Sequence, residues 1–434
     1  MQDWHEIYNS RKMSAREAAD HIKSGDRIVV AHGPAAPVPI LEAIGDNKDA
    51  YKDVTFYHMV THGPTPYVGE DKEGHLHCNA CFISPGYRGQ MEKGIVDLIP
   101  LNFSEFPAWL ENDVRSNVVV TVVSPPDEHG YVSSGLSCDY TIPAARHART
   151  IIAEVNPNCP VSYGDTFIHV SDIECFVETD RKLLETQPRE STEVEKKIGG
   201  YCAQLISDGS CVQLGVGGIP DAILPFLKDK KDLGIHSEVI GDGVKVLMEA
   251  GVITGRKKTI DTGLVVTASV FGTADFRKFV NRNPGISMRP VNYTNDPRVI
   301  SQLDNMVSIN ACVQVDITGQ VNSEYIGGTQ FSGMGGQVDF VRGAKMAKGG
   351  KSIMACTSTA KHGTISKIVP YLDPGAPVTT SRTDIDYVVT EYGIAHLGGR
   401  SLVDRAKALV SVAHPDFRDQ LMEEAERRYA RKIF

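Results

Sequence analysis

Along the chain, short β-branched runs alternate with stretches whose apolar residues recur at helical spacing. In "SAREAADHIKSG" the pair Ser14 and Glu17 has the spacing of a capping box, and the "DRIVVAHG" that follows reads as a strand. Alternation of this kind predicts an α/β protein with mostly parallel sheets. The pattern also recurs. "HIKSGDRIVVAHGPAAPVPILEAI" matches "QLISDGSCVQLGVGGIPDAILPFL", setting Gly25 on Gly209 and Gly33 on Gly217, each as helix, turn, strand, glycine loop, helix. "LIPLNFSEFP" echoes "MRPVNYTNDP", "HGYVSS" echoes "TGQVNS", and "SDIECFV" echoes "TDIDYVV", in the same order. Collinear matches predict two similar α/β domains from an internal duplication, residues 1–190 and 191–434, with the polar stretch 185–197 as linker.

One position breaks the repeat. "KDLGIHSEVIGDG" aligns with "KDVTFYHMVTHG", so that Glu238 falls opposite Met59. The run reads as a short buried strand ending in a Gly-Asp-Gly turn, and only one half carries a charge in it. A carboxylate retained where its twin is apolar is a candidate for chemistry; the alternative is an edge residue or an ion-pair partner.

Ligands of open parallel sheets bind at the carboxyl ends of the strands. Glu238 lies near such an end, and "CVQLGVGGIPDAI" supplies another, with Gly215, Gly217 and Gly218 before Pro220, read as a first helical residue. Backbone N–H groups there can face an anion or a developing oxyanion. Pro220 occupies the place of the last glycine of a dinucleotide fingerprint, and no phosphate-binding G-x-x-x-x-G-K-[ST] occurs. A third glycine stretch, "GGTQFSGMGGQVDFVRG", reads either as a tight turn or as a further wall of the crevice.

Composition narrows the class. The 434 residues are 41% hydrophobic and 23% charged, ordinary for a folded chain with sizeable cores. A formal net charge of -9 argues against a general nucleic-acid binder, no apolar run approaches the length of a membrane span, and the start "MQDWHEIYNSRKMSAREAADHIKSGD" is too polar for a signal peptide, so a cytoplasmic protein is expected. The nine cysteines are scattered and read as core packing. His75, His77, Cys78 and Cys81 in "HLHCNAC" are zinc-competent, but no second ligand pair supports a metal site, and none is expected.

A carboxylate becomes a useful nucleophile in a drier site where donors receive the charge created on the substrate, a combination suited to acyl transfer. A serine hydrolase is disfavoured, because no G-x-S-x-G occurs. "GVGGIPDAI", "GIHSEVIGDGV", "TGQVNSE", "QFSGMGGQVDFVRGA", "TEYGIA" and "AHPDFRDQL" together resemble the acetyl-CoA hydrolase/transferase family, most of all its 4-hydroxybutyrate CoA-transferases, over nearly the whole chain.

The resemblance implies two NagB/RpiA/CoA-transferase-like domains and a ping-pong exchange through a glutamyl-CoA thioester, with Glu238 as nucleophile and Gly336 as an oxyanion donor. It implies CoA contacts from Gly215, Val216, Gly217, Gly218, Ile219 and Gly335, and places Ser332 and Lys361 beside substrate or CoA. Coenzyme A is then a co-substrate, with no permanently bound cofactor; the partners are acyl-CoA and short-chain carboxylates, and a homo-oligomer, dimer or tetramer, is expected. His129 and Asp165 lie in family-like segments without an assigned role. The small apolar loop "AHGPAAPVPI" neither requires nor excludes a hydroxyl on the acyl chain, so a butyryl-CoA:acetate transferase is a close rival. A thioester hydrolase on the same scaffold and a non-catalytic anion-binding protein remain the other readings.

Overall fold

The computed structural model describes residues 3–187 and 189–433. The chain divides into two compact units, Met1–Gln187 with Val266–Thr294, and Pro188–Val265 with Asn295–Phe434.

In the first unit seven strands form one parallel sheet: β1 (Arg27–Val30), β2 (Val54–His58), β3 (Leu76–Ala80), β4 (Val96–Leu98), β5 (Val118–Val123), β6 (Thr150–Val155) and β7 (Cys175–Glu178). Their spatial order is β4-β3-β2-β1-β5-β6-β7, so the chain starts at the centre and reverses direction beside β1. The sequence explains which strands are central. β5, "VVVTVV", and β6, "TIIAEV", are buried at every position, as strands covered on both faces must be. β2 alternates buried and half-buried residues. The core beneath the sheet gathers Ile28, Val30, Ile40, Leu41, Phe56 and Val118.

The second unit repeats the plan. β8 (Cys211–Leu214), β9 (Gly234–Ile240), β10 (Met306–Ala311), β11 (Lys351–Ala355), β12 (Tyr387–Thr390) and β13 (Gly393–His396) lie in the order β9-β8-β10-β11-β12-β13. All of these pairings are parallel except the closing hairpin β12–β13. β8 thus corresponds to β1, β9 to β2, and β12 to β7, as the "SDIECFV" and "TDIDYVV" match requires.

Backbone conformation carries the duplication further. Gly25 and Gly209 both have left-handed φ, +79° and +75°. So do Asp53 and Asp232, at +55° and +53°, a conformation that aspartate tolerates better than bulkier residues. In both halves the strand after the glycine begins two residues later, at Arg27 and at Cys211.

Local signals resolve as hydrogen bonds. Ser14 and Glu17 cap each other reciprocally, and Thr192 and Glu195 do the same at the start of the helix Glu193–Gln204. The end of the stretch 185–197 is therefore helical. Two further expectations shift. The helix after β8 begins at Gly218 and not at Pro220, because Gly217 already turns the chain. The Gly-Asp-Gly after β9 opens the helix Asp242–Glu249 in place of a free turn. All nine cysteines are free and buried. Among the described residues no helix is long and apolar enough to cross a membrane.

Candidate active site

Strand register places Glu238. β8 pairs with β9 through Cys211–Gly234 and Val212–Ile235, and Ser237 Oγ donates to the Leu214 carbonyl at 2.9 Å. Continued by three residues beyond Val212–Ile235, the register sets Glu238 opposite Gly215, just past the end of β8. The longer strand therefore carries its carboxylate to the level of the glycine loop. Glu238 is part-buried, whereas Met59, its counterpart in the first unit, is buried at 1% exposure.

Two residues distant in sequence meet it. Asn295 Nδ2 donates to Glu238 Oε2 at 2.7 Å, and Asn295 is fully buried with its Oδ1 unpartnered among the described residues. Gly336 is the residue before the helix Gln337–Met346, and a Cβ there would collide with Glu238 Oε2 and Asn295 Nδ2. Gly335 before it has φ +54°, so the turn that presents Gly336 uses a glycine conformation. The arrangement can hold a carboxylate in one orientation and bring backbone close to it, the requirements for a positioned nucleophile with an adjacent donor.

The loop Gly215, Val216, Gly217, Gly218 and Ile219 is part-buried throughout. Gly217 takes φ +119°, and a Cβ on Gly218 would strike the Arg189 guanidinium and the Glu195 carboxylate. That ion pair holds Glu195 well below the usual carboxylate range, against the opposing effect of burial. Asp221, on the following helix, is pushed up by burial. Ser332 is buried and donates from Oγ to the Ser323 carbonyl at 3.3 Å, while its N–H donates to the Glu324 carbonyl. Burial also raises the Glu324 carboxyl. Lys361 sits exposed at the tip of the hairpin formed by Thr359–Ala360 and Ile365–Ser366, with φ +46°.

Glu238 and Gly336 are thus brought together with Asn295, a residue sequence reasoning did not single out. The repeat sets Asn295 on Glu105, a polar residue on a polar one, so nothing in the match marks it out. His129 is exposed on a turn beside Glu128, and Asp165 N–H donates to the Met288 carbonyl. In "HLHCNAC" the strand alternation of β3 exposes His77 and buries Cys78, which lies 3.3 Å from His58 Nε2, while His75 Nδ1 bonds the Tyr51 carbonyl at 2.7 Å.

Residues 1–186 match the acetyl-CoA hydrolase/transferase N-terminal domain, and residues 272–425 match the C-terminal domain of the same family. The 4-hydroxybutyrate coenzyme A transferase of Clostridium kluyveri is 50% identical over 98% of this chain and all of that protein. The butyryl-CoA:acetate CoA-transferase of Anaerostipes caccae is 34% identical over 97% of each. Among solved structures, RipA of Yersinia pestis superposes with a TM-score of 0.93 at 36% identity, covering 99% of this chain and 100% of that one. With both family domains matched in order and relatives similar from end to end, the chain belongs to the acetyl-CoA hydrolase/transferase family.

Proposed function

We propose that this enzyme moves CoA between a short-chain acyl-CoA, 4-hydroxybutyryl-CoA or butyryl-CoA, and a carboxylate such as acetate, through a glutamyl-CoA thioester on Glu238. Its assignment as an acyl-CoA:carboxylate CoA-transferase rests on the two family domains and the full-length similarity to CoA-transferases. The observation that supports the glutamyl route is the contact of Asn295 Nδ2 with Glu238 Oε2, beside a glycine too close for any side chain.

The chemistry balances without an external energy source. The Glu238 carboxylate attacks the thioester carbonyl, the C–S bond breaks, and CoA leaves as thiolate, giving an acyl-glutamyl anhydride. The thiolate attacks the glutamyl carbonyl and expels the acyl group as a free carboxylate. An incoming acid reverses both steps. One thioester is exchanged for another, so no ATP is consumed. Asn295 orients the carboxylate, and the N–H groups of the Gly335–Gly336 turn and of the Gly215–Ile219 loop serve the two oxyanions. CoA enters and leaves as co-substrate, contacted by that loop, with Ser332 and Lys361 in outer contacts.

The test is to incubate the protein with butyryl-CoA or 4-hydroxybutyryl-CoA without acceptor and read intact mass and peptide maps. A CoA adduct on Glu238 that acetate discharges supports the reading. Free CoA accumulating without an adduct would transfer it to a hydrolase.

A further inference from the structure

Strand register in the second unit puts a polar pair on the same sheet face as Glu238. β8 pairs with β10 through Gln213–Ser308 and Leu214–Ile309, so one residue further on Asn310 falls opposite Gly215, on the side away from β9. Residues level with one another on neighbouring parallel strands project to the same face, so Glu238 and Asn310 flank a position that has no side chain. Their backbones are two strands apart, about 10 Å. The space between them is open, since a Cβ built on Gly215 would meet nothing within 4 Å. The first unit shows the same sharing of a face: Val29 and Met59, the repeat counterparts of Gln213 and Glu238, pack in one hydrophobic cluster.

Asn310 is part-buried, and its carboxamide is locked by Gln213, which is buried. The Ile309 N–H donates to Gln213 Oε1 at 3.0 Å. A backbone N–H can only donate, so this bond fixes which end of the Gln213 amide is oxygen and makes its Nε2 the donor to Asn310 Oδ1 at 3.4 Å. Asn310 Nδ2 in turn donates to Gln213 Oε1 at 3.2 Å. These bonds use one hydrogen of Nδ2 and one lone pair of Oδ1, and the remaining hydrogen and lone pair have no protein partner among the described residues. The fold does not demand the pair. The repeat sets Gln213 on Val29, which is fully buried, and the registers of β10 with β8 and of β5 with β1 set Asn310 on Thr121.

A carboxamide with an open donor and an open acceptor is met by a hydroxyl, which also gives and takes a hydrogen bond, and not by a methyl group. It carries no charge, so an anionic group gains no ion pair from it. A 4-hydroxyl stands four bonds from the acyl carbonyl carbon, a reach of roughly 5 Å at ordinary bond lengths. An acyl chain held at Glu238 and laid across Gly215 therefore carries its hydroxyl to Asn310, with no side chain in the way.

We infer that the Asn310 carboxamide hydrogen-bonds to a hydroxyl on the acyl chain of the substrate, making Asn310 a specificity-determining residue for hydroxyacyl thioesters, with Gln213 as its positioning residue. The inference rests on the transferase reading above and chooses the hydroxylated chain over the plain one.

The experiment compares kcat/KM for 4-hydroxybutyryl-CoA and for pentanoyl-CoA, in which a methyl group takes the place of the hydroxyl, with acetate as acceptor. It is run on the unaltered protein, on Asn310→Leu and on Gln213→Val. The unaltered protein is expected to favour the hydroxyacyl thioester by about 10- to 100-fold. Asn310→Leu is expected to bring the ratio close to one, the loss falling on the hydroxyacyl substrate. Gln213→Val installs the residue of the first unit and unlocks the carboxamide, and is expected to lower the ratio by about 3- to 10-fold. A merely structural role for the pair would slow both substrates together, so an unchanged ratio in folded Asn310→Leu overturns the inference. So does an unaltered protein that does not discriminate. If Asn310→Leu fails to fold, the ratio in Gln213→Val decides in the same way. An unaltered protein that exchanges neither of these thioesters nor butyryl-CoA sinks the transferase reading and this inference with it, whereas exchange without discrimination sinks the inference alone.

Discussion

Asn295 donates from Nδ2 to Glu238 Oε2 at 2.7 Å, joining a strand residue to one 57 positions later in the chain. A hydrogen bond to a charged acceptor contributes about 1.5–3 kcal/mol. Asn295→Ala is therefore expected to lower kcat for CoA exchange by about 10- to 150-fold, through loss of the carboxylate's orientation. Asn295→Asp places a second carboxyl against Glu238 and is expected to fall further. Steady-state kinetics with butyryl-CoA and acetate check both, and a kcat within a factor of two of the unaltered protein in either variant would remove Asn295 from the site.

Glu238→Ala is expected to abolish exchange, by at least about a thousandfold, because the covalent route loses its nucleophile. Stability should change little, since Met59 shows that the equivalent strand position accepts an uncharged side chain. Glu238→Asp retains the charge but withdraws it by one methylene from Asn295, and is expected to be nearly as inactive. Near-normal turnover in a well-folded Glu238→Ala is the outcome that would discard the glutamyl mechanism.

At Gly336 the two effects of a substitution separate. A Cβ would collide with both Glu238 and Asn295, the flexible ends of two side chains, not with backbone. Gly336→Val is expected to cost far more in exchange rate, about a hundredfold or more, than in thermal midpoint, because displacing the carboxylate disrupts reacting geometry while the helix Gln337–Met346 can still form. Paired measurements of kcat/KM and Tm test this; parallel losses would mark Gly336 as structural.

How much of this was legible in the sequence depends on how local the signal is. The strands "RIVV" and "GIHSEVI", the Ser14–Glu17 cap and the twin glycines at 25 and 209 all follow from patterns spanning a few residues, and the duplication multiplied each by appearing twice. Glu238 stood out because its twin is apolar. Asn295 was not recognised, because its importance comes from a contact across 57 residues that no local period encodes.

The first unit also contains a pH-sensitive element of stability. His58, fully buried, has Nδ1 bonded to the Met59 carbonyl at 3.1 Å and Nε2 accepting from the Tyr87 hydroxyl at 2.8 Å, and Tyr87 is joined to Tyr67 at 2.7 Å. Burial lowers this histidine to about 4, from an ordinary value near 6.5. Between those values the unfolded chain binds a proton that the folded chain refuses, so stability rises with pH and is lost as pH falls from about 6.5 toward 4. The slope is about 1.4 kcal/mol per pH unit for one such group. His62, lowered to about 4 by burial and then by His32, acts in the same direction. Urea unfolding at pH 7, 6 and 5 should show this decline, and His58→Gln, which cannot titrate there, should flatten it by close to one proton while lowering stability at pH 7. An equal slope in the two proteins would mean that His58 is not the group that titrates.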